Sequence, residues 1–217
     1  GVSAFNKLVD VDKADIIVSA MSSVSVPLIP LVKEKNKILM LQDVTYPNIT
    51  KDNPLVFRPF IHSDREAEII SSYAFNNLGV KRVGILYIND ESGVGARDAF
   101  TRIFKQKGGE ISAVESFTGK DTDMRTQILK IKSTEPDAIY LFGNGPSWSR
   151  AVVQIKESGF EGKVLTNTIM FVRNFRDAAG NAAEGVYFTH PYSDGNDANV
   201  KDFLTKYQNE YGYAAPM

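Results

Sequence analysis

Short apolar runs rich in β-branched residues alternate with segments whose apolar residues recur every three to four positions, and the alternation persists along almost the whole chain. Residues 15–18 and 37–41 read as strands, with a helix over about 24–35 between them. Residues 82–88 form a strongly apolar run of the kind buried on both faces of a sheet. Similar runs follow at 110–116, 137–142 and 163–165, about 25 residues apart, and each gap holds one helix. Ala96, Ala99, Phe100, Ile103 and Phe104 are spaced to make one continuous apolar helix face. Trp148, Ala151, Val152 and Ile155 repeat that pattern, with Gly159 placed to end the helix. Ile69, Ile70, Tyr73 and Ala74 supply another stripe within 66–78, and Ala4, Phe5, Leu8 and Val9 one at the start of the chain.

Strand–helix–strand units at this spacing imply an α/β fold with right-handed crossovers and parallel sheets covered by helices on both faces. Ligands bind such sheets beyond the C-terminal strand ends, which directs attention to the loops 19–25, 42–50, 89–95, 143–147 and 166–171. Residues 55–61, interrupted by Pro59, and 185–189, followed by Pro191, read as connecting strands rather than sheet interior. They bracket a four-strand unit over 62–184. The expected division is a complete second lobe over 55–190 and an incomplete first lobe built from 1–54 plus 191–217. Val200, Phe203, Leu204, Tyr207 and Tyr211 would form the last helix of that first lobe. The chain opens inside a helix and stops at Met217 without a terminal element, so both ends are expected to be cuts within a longer fold, leaving the first lobe truncated. The unpaired sheet edges that result offer a route to self-association.

Composition narrows the function classes. Of 217 residues, 43% are apolar and 24% charged, with a net charge of −1, so there is no electrostatic footprint for nucleic acid or an anionic membrane. The absence of cysteine excludes disulfides, thiol catalysis and cysteine-type zinc sites. Gly93 and Gly95 follow a strand and open a helix, but Asp98 stands where a dinucleotide turn needs a third glycine, so a tight turn is the reading. His62 and His190 lie far apart, no carboxylates have metal-ligand spacing, and no serine sits in a nucleophile elbow. Asn48, Ile49 and Thr50 match a glycosylation sequon by pattern only. These features offer no catalytic, cofactor or metal site, so none is expected.

Several segments, in order, resemble a known family. They are 5–18, the serine-rich turn at 22–25, Thr45 to Thr50, the Phe57, Arg58 and Pro59 run, Gly93 to Gly95, Asp121 to Asp123, Glu135 to Ala138, and Ala183 to Phe188. Together they are similar to the leucine/isoleucine/valine-binding proteins of bacterial importers, the type I periplasmic solute-binding proteins. The resemblance covers essentially all of the chain and rests on many weak matches at the right spacing. It implies two α/β lobes joined by three crossing segments, two of them at 55–61 and 185–191, closing on a small solute. It further implies an extracytoplasmic, periplasmic protein, with a lipid anchor as one option, that delivers an amino acid of the branched-chain type or a related carboxylate to the membrane permease of an ABC importer. A ligand-sensing receptor ectodomain is the alternative on the same fold.

Candidate ligand-binding residues follow from strand ends and from the resemblance. Ser22 and Ser23 lie between a strand and a helix, where hydroxyls and free backbone N–H groups suit a carboxylate. The resemblance makes Ser23 the carboxylate serine and Thr45 the second hydroxyl, with Asp43 offering backbone atoms and its side chain expected toward solvent. From the second lobe, Ser92 and Asn144 occupy positions often aromatic in relatives. Thr168 stands where amino-acid binders often carry the acid that pairs with the ligand ammonium. A buried ammonium without a counter-charge is costly, so either Asp43, Asp90 or Glu91 points into the cleft, or the ligand is not a branched-chain amino acid. Tyr46, Trp148 and Phe171 are candidate cleft walls, with core packing the default for Trp148.

Overall fold

The computed structural model describes residues 1–190 and 194–215; residues 191–193 and 216–217 of the expected first lobe lie outside this set. The chain opens with α1 (Val2–Asn6), which runs into a π-helical turn at Lys7–Val11. Of the stripe expected there, Phe5 and Val9 are buried and Ala4 and Leu8 are exposed. Strand β1 (Ile16–Ala20) leads to α2 (Ser22–Ser25), a 3-10 turn at Val26–Leu28 and α3 (Ile29–Lys35). The single helix expected over 24–35 is thus three pieces, because Pro27 and Pro30 withhold the N–H groups that a continuous helix needs. Strands β2 (Ile38–Gln42) and β3 (Val56–Phe57) complete a parallel sheet in the order β1-β2-β3. Phe5, Val9, Ile17, Leu28, Val32, Leu39, Leu41 and Val56 form its core. Strand β1 is an edge of this sheet, and Ile16 and Val18 on one of its faces are 59% and 65% exposed, so nothing among the described residues covers that face.

The second sheet is larger. After α4 (Ser63–Asn76) come β4 (Arg82–Ile88), α5 (Glu91–Gln106), β5 (Glu110–Phe117), α6 (Arg125–Lys132), β6 (Ala138–Phe142), α7 (Gly145–Glu157), β7 (Lys163–Thr166), α8 (Arg173–Ala179) and β8 (Val186–Phe188). All strands are parallel, in the order β5-β4-β6-β7-β8. The chain steps outward from β4 to β5, then reverses to β6, β7 and β8. Crossovers of one hand in opposite directions place helices on opposite faces, and α4 packs on α5 while α7 packs on α6 and α8. Phe100 stacks between Phe104 and Tyr140, with ring centroids 5.4 and 4.0 Å apart.

Three expectations need correction. The unit has five strands rather than four, since residues 186–188 pair with β7. The segment at 55–61 likewise contributes a paired strand, β3, which belongs to the small sheet although the expected division puts residues 56–57 in the second lobe. Pro59 falls beyond its ladder, so no hydrogen bond is lost to it. Finally, α9 (Ala198–Tyr211) forms where expected but buries none of its residues, and Phe203 and Tyr211 are more than half exposed. Its aromatic rings meet each other instead, Tyr207 lying 4.6 Å from Tyr211 and 6.0 Å from Phe203.

Candidate functional site

The order β5-β4-β6 makes β4 the point where the chain reverses direction, and the loops leaving β4 and β6 diverge there to open a crevice. A cavity of about 330 Å³ lies at this point, roofed by the loops that follow β1 and β2 of the small sheet. Ser22, Ser23, Asp43, Thr45, Ser92, Asn144 and Thr168 all line it. Seven residues scattered over nearly 150 positions therefore meet because every one follows a strand of a parallel sheet, and within each sheet the strand ends open on the same side.

The small-sheet wall is held by cross-bracing. Met21, in the left-handed region at φ +67°, turns the chain sharply from β1 into α2. Ser19 and Ser25 close that turn through a buried hydroxyl pair at 2.8 Å. The Ser22 Oγ accepts from the Tyr46 N–H at 3.3 Å, tying the loop after β1 to the loop after β2. The Arg58 guanidinium donates to the carbonyls of Tyr46 and Pro47, and the Ser63 N–H donates to the Thr45 carbonyl at 2.9 Å. Thr45 is thus fixed from both sides. Asp43 occupies the left-handed region at φ +52° immediately after β2. It is among the residues that line the cavity and is also exposed to solvent, and desolvation pushes its pKa up.

The opposite wall is built from helix starts. Asp90 caps α5, its Oδ1 accepting from the Gly93 N–H at 2.9 Å and the Ser92 hydroxyl at 2.6 Å. Asn144 precedes α7, and its side chain makes no capping bond. Thr168 donates both its N–H, at 3.1 Å, and its hydroxyl, at 2.8 Å, to Glu66 Oε1. The Thr189 hydroxyl donates to the same oxygen at 2.9 Å. Phe60, Phe142, Ile169, Val172 and Phe175 supply the apolar part of the lining.

Of the acids weighed as ammonium partners, Asp43 and Asp90 line the cavity and Glu91 does not. Tyr46, Trp148 and Phe171 are not walls. Trp148 is fully buried with its indole N–H bonded to Thr166 Oγ1 at 2.9 Å, Phe171 stacks on His190 at 4.1 Å, and Tyr46 serves the loop through its backbone. Sequence reasoning missed Glu66 altogether. The available signal was a lone acid four and eight positions before Ile70 and Ala74, on the apolar stripe of its helix.

Burial pushes the Glu66 carboxyl up, the Thr168 and Thr189 hydrogen bonds pull it partly back, and the Asp43 charge raises it again. An acid whose folded pKa lies above its unfolded value stabilises the fold below the unfolded pKa of about 4.3, and that contribution is lost as pH rises through the folded value. Denaturant unfolding between pH 4 and 8 is therefore expected to show wild type losing stability with rising pH relative to Glu66→Gln. Parallel curves for the two proteins would contradict this.

The whole chain, residues 1–217, matches the family model described as periplasmic binding protein. It is 24% identical over 205 residues to Leu/Ile/Val-binding protein homolog 3 of Brucella melitensis, a match covering 94% of this chain and 56% of that protein. Among solved structures, a leucine binding protein LivK from Thermotoga maritima matches with a TM-score of 0.90 at 26% identity, over 99% of this chain and 62% of that one. A solute-binding protein of an ABC transporter from R. palustris, in complex with benzoate, matches with a TM-score of 0.86 at 19% identity, over 99% of this chain and 60% of that one. The chain thus spans about three fifths of the length of these relatives. With a family match along its entire length and parallel α/β sheets whose strand ends converge on one cavity, the chain belongs to the periplasmic binding protein family.

Proposed function

We propose that the protein is an extracytoplasmic solute-binding protein of an ABC importer, without catalysis, and that it holds an amino acid of the branched-chain type in the cavity between its two sheets. The observation that carries this reading is the asymmetry of the lining. Ser22, Ser23 and Thr45 contribute hydroxyl residues on the small-sheet wall, Asp90 contributes an acid on the opposite wall, and Phe60, Phe142, Ile169, Val172 and Phe175 supply apolar lining. A zwitterion with an aliphatic side chain matches all three regions. The printed names of the Brucella and Thermotoga relatives agree with it. Benzoate, the ligand of the R. palustris neighbour, fits less well, because it has no cationic group to pair with Asp90 and, among the described residues, the lining holds no Lys, Arg or His for its carboxylate.

Because the walls come from different sheets, a ligand bonded to both favours the arrangement in which the two lie close together, the state that a permease partner would read. Isothermal calorimetry with leucine, isoleucine, valine and benzoate on the full-length protein tests the assignment. At least one of the three amino acids is expected to bind more tightly than benzoate, and the reverse order would overturn it. Ser23, exposed at the cavity mouth, is the proposed carboxylate donor. Ser23→Ala is expected to weaken the bound amino acid by about 1.5–3 kcal/mol, the range for a hydrogen bond to a charged group. Unchanged affinity would remove Ser23 from the site.

A further inference from the structure

We propose that Glu66, acting through Thr168, makes the cavity selective for ligands carrying a protonated amine. This rests on the reading of the cavity as the solute site and specifies the chemistry of one end of it.

Glu66 sits in the first turn of α4 at 1% exposure, on the face that also buries Ala67, Ile70 and Ala74. Among the described residues, its three hydrogen-bond donors are all uncharged and converge on Oε1, while Oε2 is buried without a partner. A buried carboxylate held only by neutral donors destabilises a fold relative to an apolar residue of similar size. Packing therefore gives no reason for an acid here, whereas a cationic group arriving at Thr168 would.

Counting hydrogens shows what Thr168 can offer the cavity. A threonine has two donors, one on the backbone and one on the hydroxyl, and Glu66 Oε1 takes both. The cavity side of the Thr168 hydroxyl is left with oxygen lone pairs alone. Ser92 is in the same position, since its hydrogen goes to Asp90 Oδ1. Two hydroxyls that from sequence could donate or accept are thus both fixed as acceptors, so a ligand group bonded to either must be a donor. An ammonium bonded to the Thr168 oxygen would stand about 5 Å from the Glu66 carboxylate, adding one hydrogen-bond length of about 2.8 Å to the 2.8 Å already present. That is within the 4–6 Å over which an opposite charge acts strongly. Asp90 lines the same wall, so both the acceptor pattern and the charge favour a cation there.

The test compares leucine with 4-methylpentanoate, the same molecule without its amine, by calorimetry on full-length wild type and Glu66→Gln. Glutamine keeps an acceptor oxygen for Thr168 and Thr189 and removes only the charge. Wild type is expected to prefer leucine by at least a hundredfold. Glu66→Gln should weaken leucine by about a hundredfold while 4-methylpentanoate is unchanged or tighter. Parallel loss of both ligands would mark Glu66 as structural, and full retention of leucine affinity would mark it as irrelevant; either overturns the inference and leaves the solute-site reading standing. If Glu66→Gln fails to fold, Thr168→Val, which removes the relaying oxygen at constant shape, must lose leucine selectively. Wild type that binds neither probe would overturn the solute-site reading and this inference with it.

Discussion

Replacing Trp148 by alanine is expected to lower the unfolding free energy by about 3–5 kcal/mol, the range for removing a large aromatic side chain from a packed interior. Trp148 is the largest fully buried side chain in the protein. Its indole N–H donates to Thr166 Oγ1 at 2.9 Å, and Thr166 in turn donates to the Leu141 carbonyl at 2.8 Å. The side chain therefore joins α7 to the C-terminal ends of β6 and β7, the strands from which Asn144 and Thr168 project. Alanine would open a cavity beneath the binding wall and leave the Thr166 oxygen with an unfilled lone pair. Trp148→Phe separates the two contributions: it keeps most of the volume and loses the donor, for an expected cost of about 1 kcal/mol. Urea unfolding with a common m-value measures both variants. A loss below about 1 kcal/mol for alanine would contradict full burial.

Gly93→Ala is expected to remove solute binding and to cost about 3 kcal/mol or more of stability, at the upper end of the range for overpacking. A Cβ on Gly93 would stand 1.7 Å from the Ile88 carbonyl oxygen and 2.8 Å from its carbon. Both are backbone atoms of the adjoining strand, so no side-chain rotation relieves the clash. The turn itself would have to open, carrying with it the Gly93 N–H that Asp90 accepts and the Ser92 hydroxyl bonded to the same oxygen. Gly95→Ala is the informative contrast. Its Cβ would meet Pro47 Cδ at 3.0 Å, across the line where the two sheets' loops approach each other. It should spare the thermal stability largely and weaken binding by interfering with that approach. Circular dichroism melts and calorimetry on the pair distinguish a broken turn from a blocked contact, and equal stability of Gly93→Ala and wild type would refute the turn argument.

The periodicity of the chain was enough to define the larger sheet. The run at 82–88 is β4 residue for residue, because a strand buried on both faces is almost wholly apolar and polar residues bound it, Lys81 and Arg82 at its start and Asn89 and Asp90 after its end. The stripes led by Ala96 and Trp148 are the buried faces of α5 and α7. The seven candidate site residues were legible for a related reason. In a parallel sheet every loop after a strand opens toward the same end, so strand positions nominate the loops that line the cavity, while the choice of residues within those loops drew on the family resemblance.

What the linear order could not contain is which edges pair and which polar atoms meet. Residues 56–57 and 186–188 looked like links, and each became an edge strand only because a neighbour offered a free ladder. The stripe on α9 was correctly read as helical, yet a stripe states that a face is apolar and not that a surface exists to cover it. The polarity of the site was likewise decided in three dimensions. Thr168 is a neutral hydroxyl in the sequence, and it becomes a fixed acceptor backed by a carboxylate because Glu66, 102 positions earlier, is buried against it. Hydrophobic periodicity is local and survives in one dimension. The direction of a hydroxyl's hydrogen depends on a partner that only the folded chain brings within 3 Å.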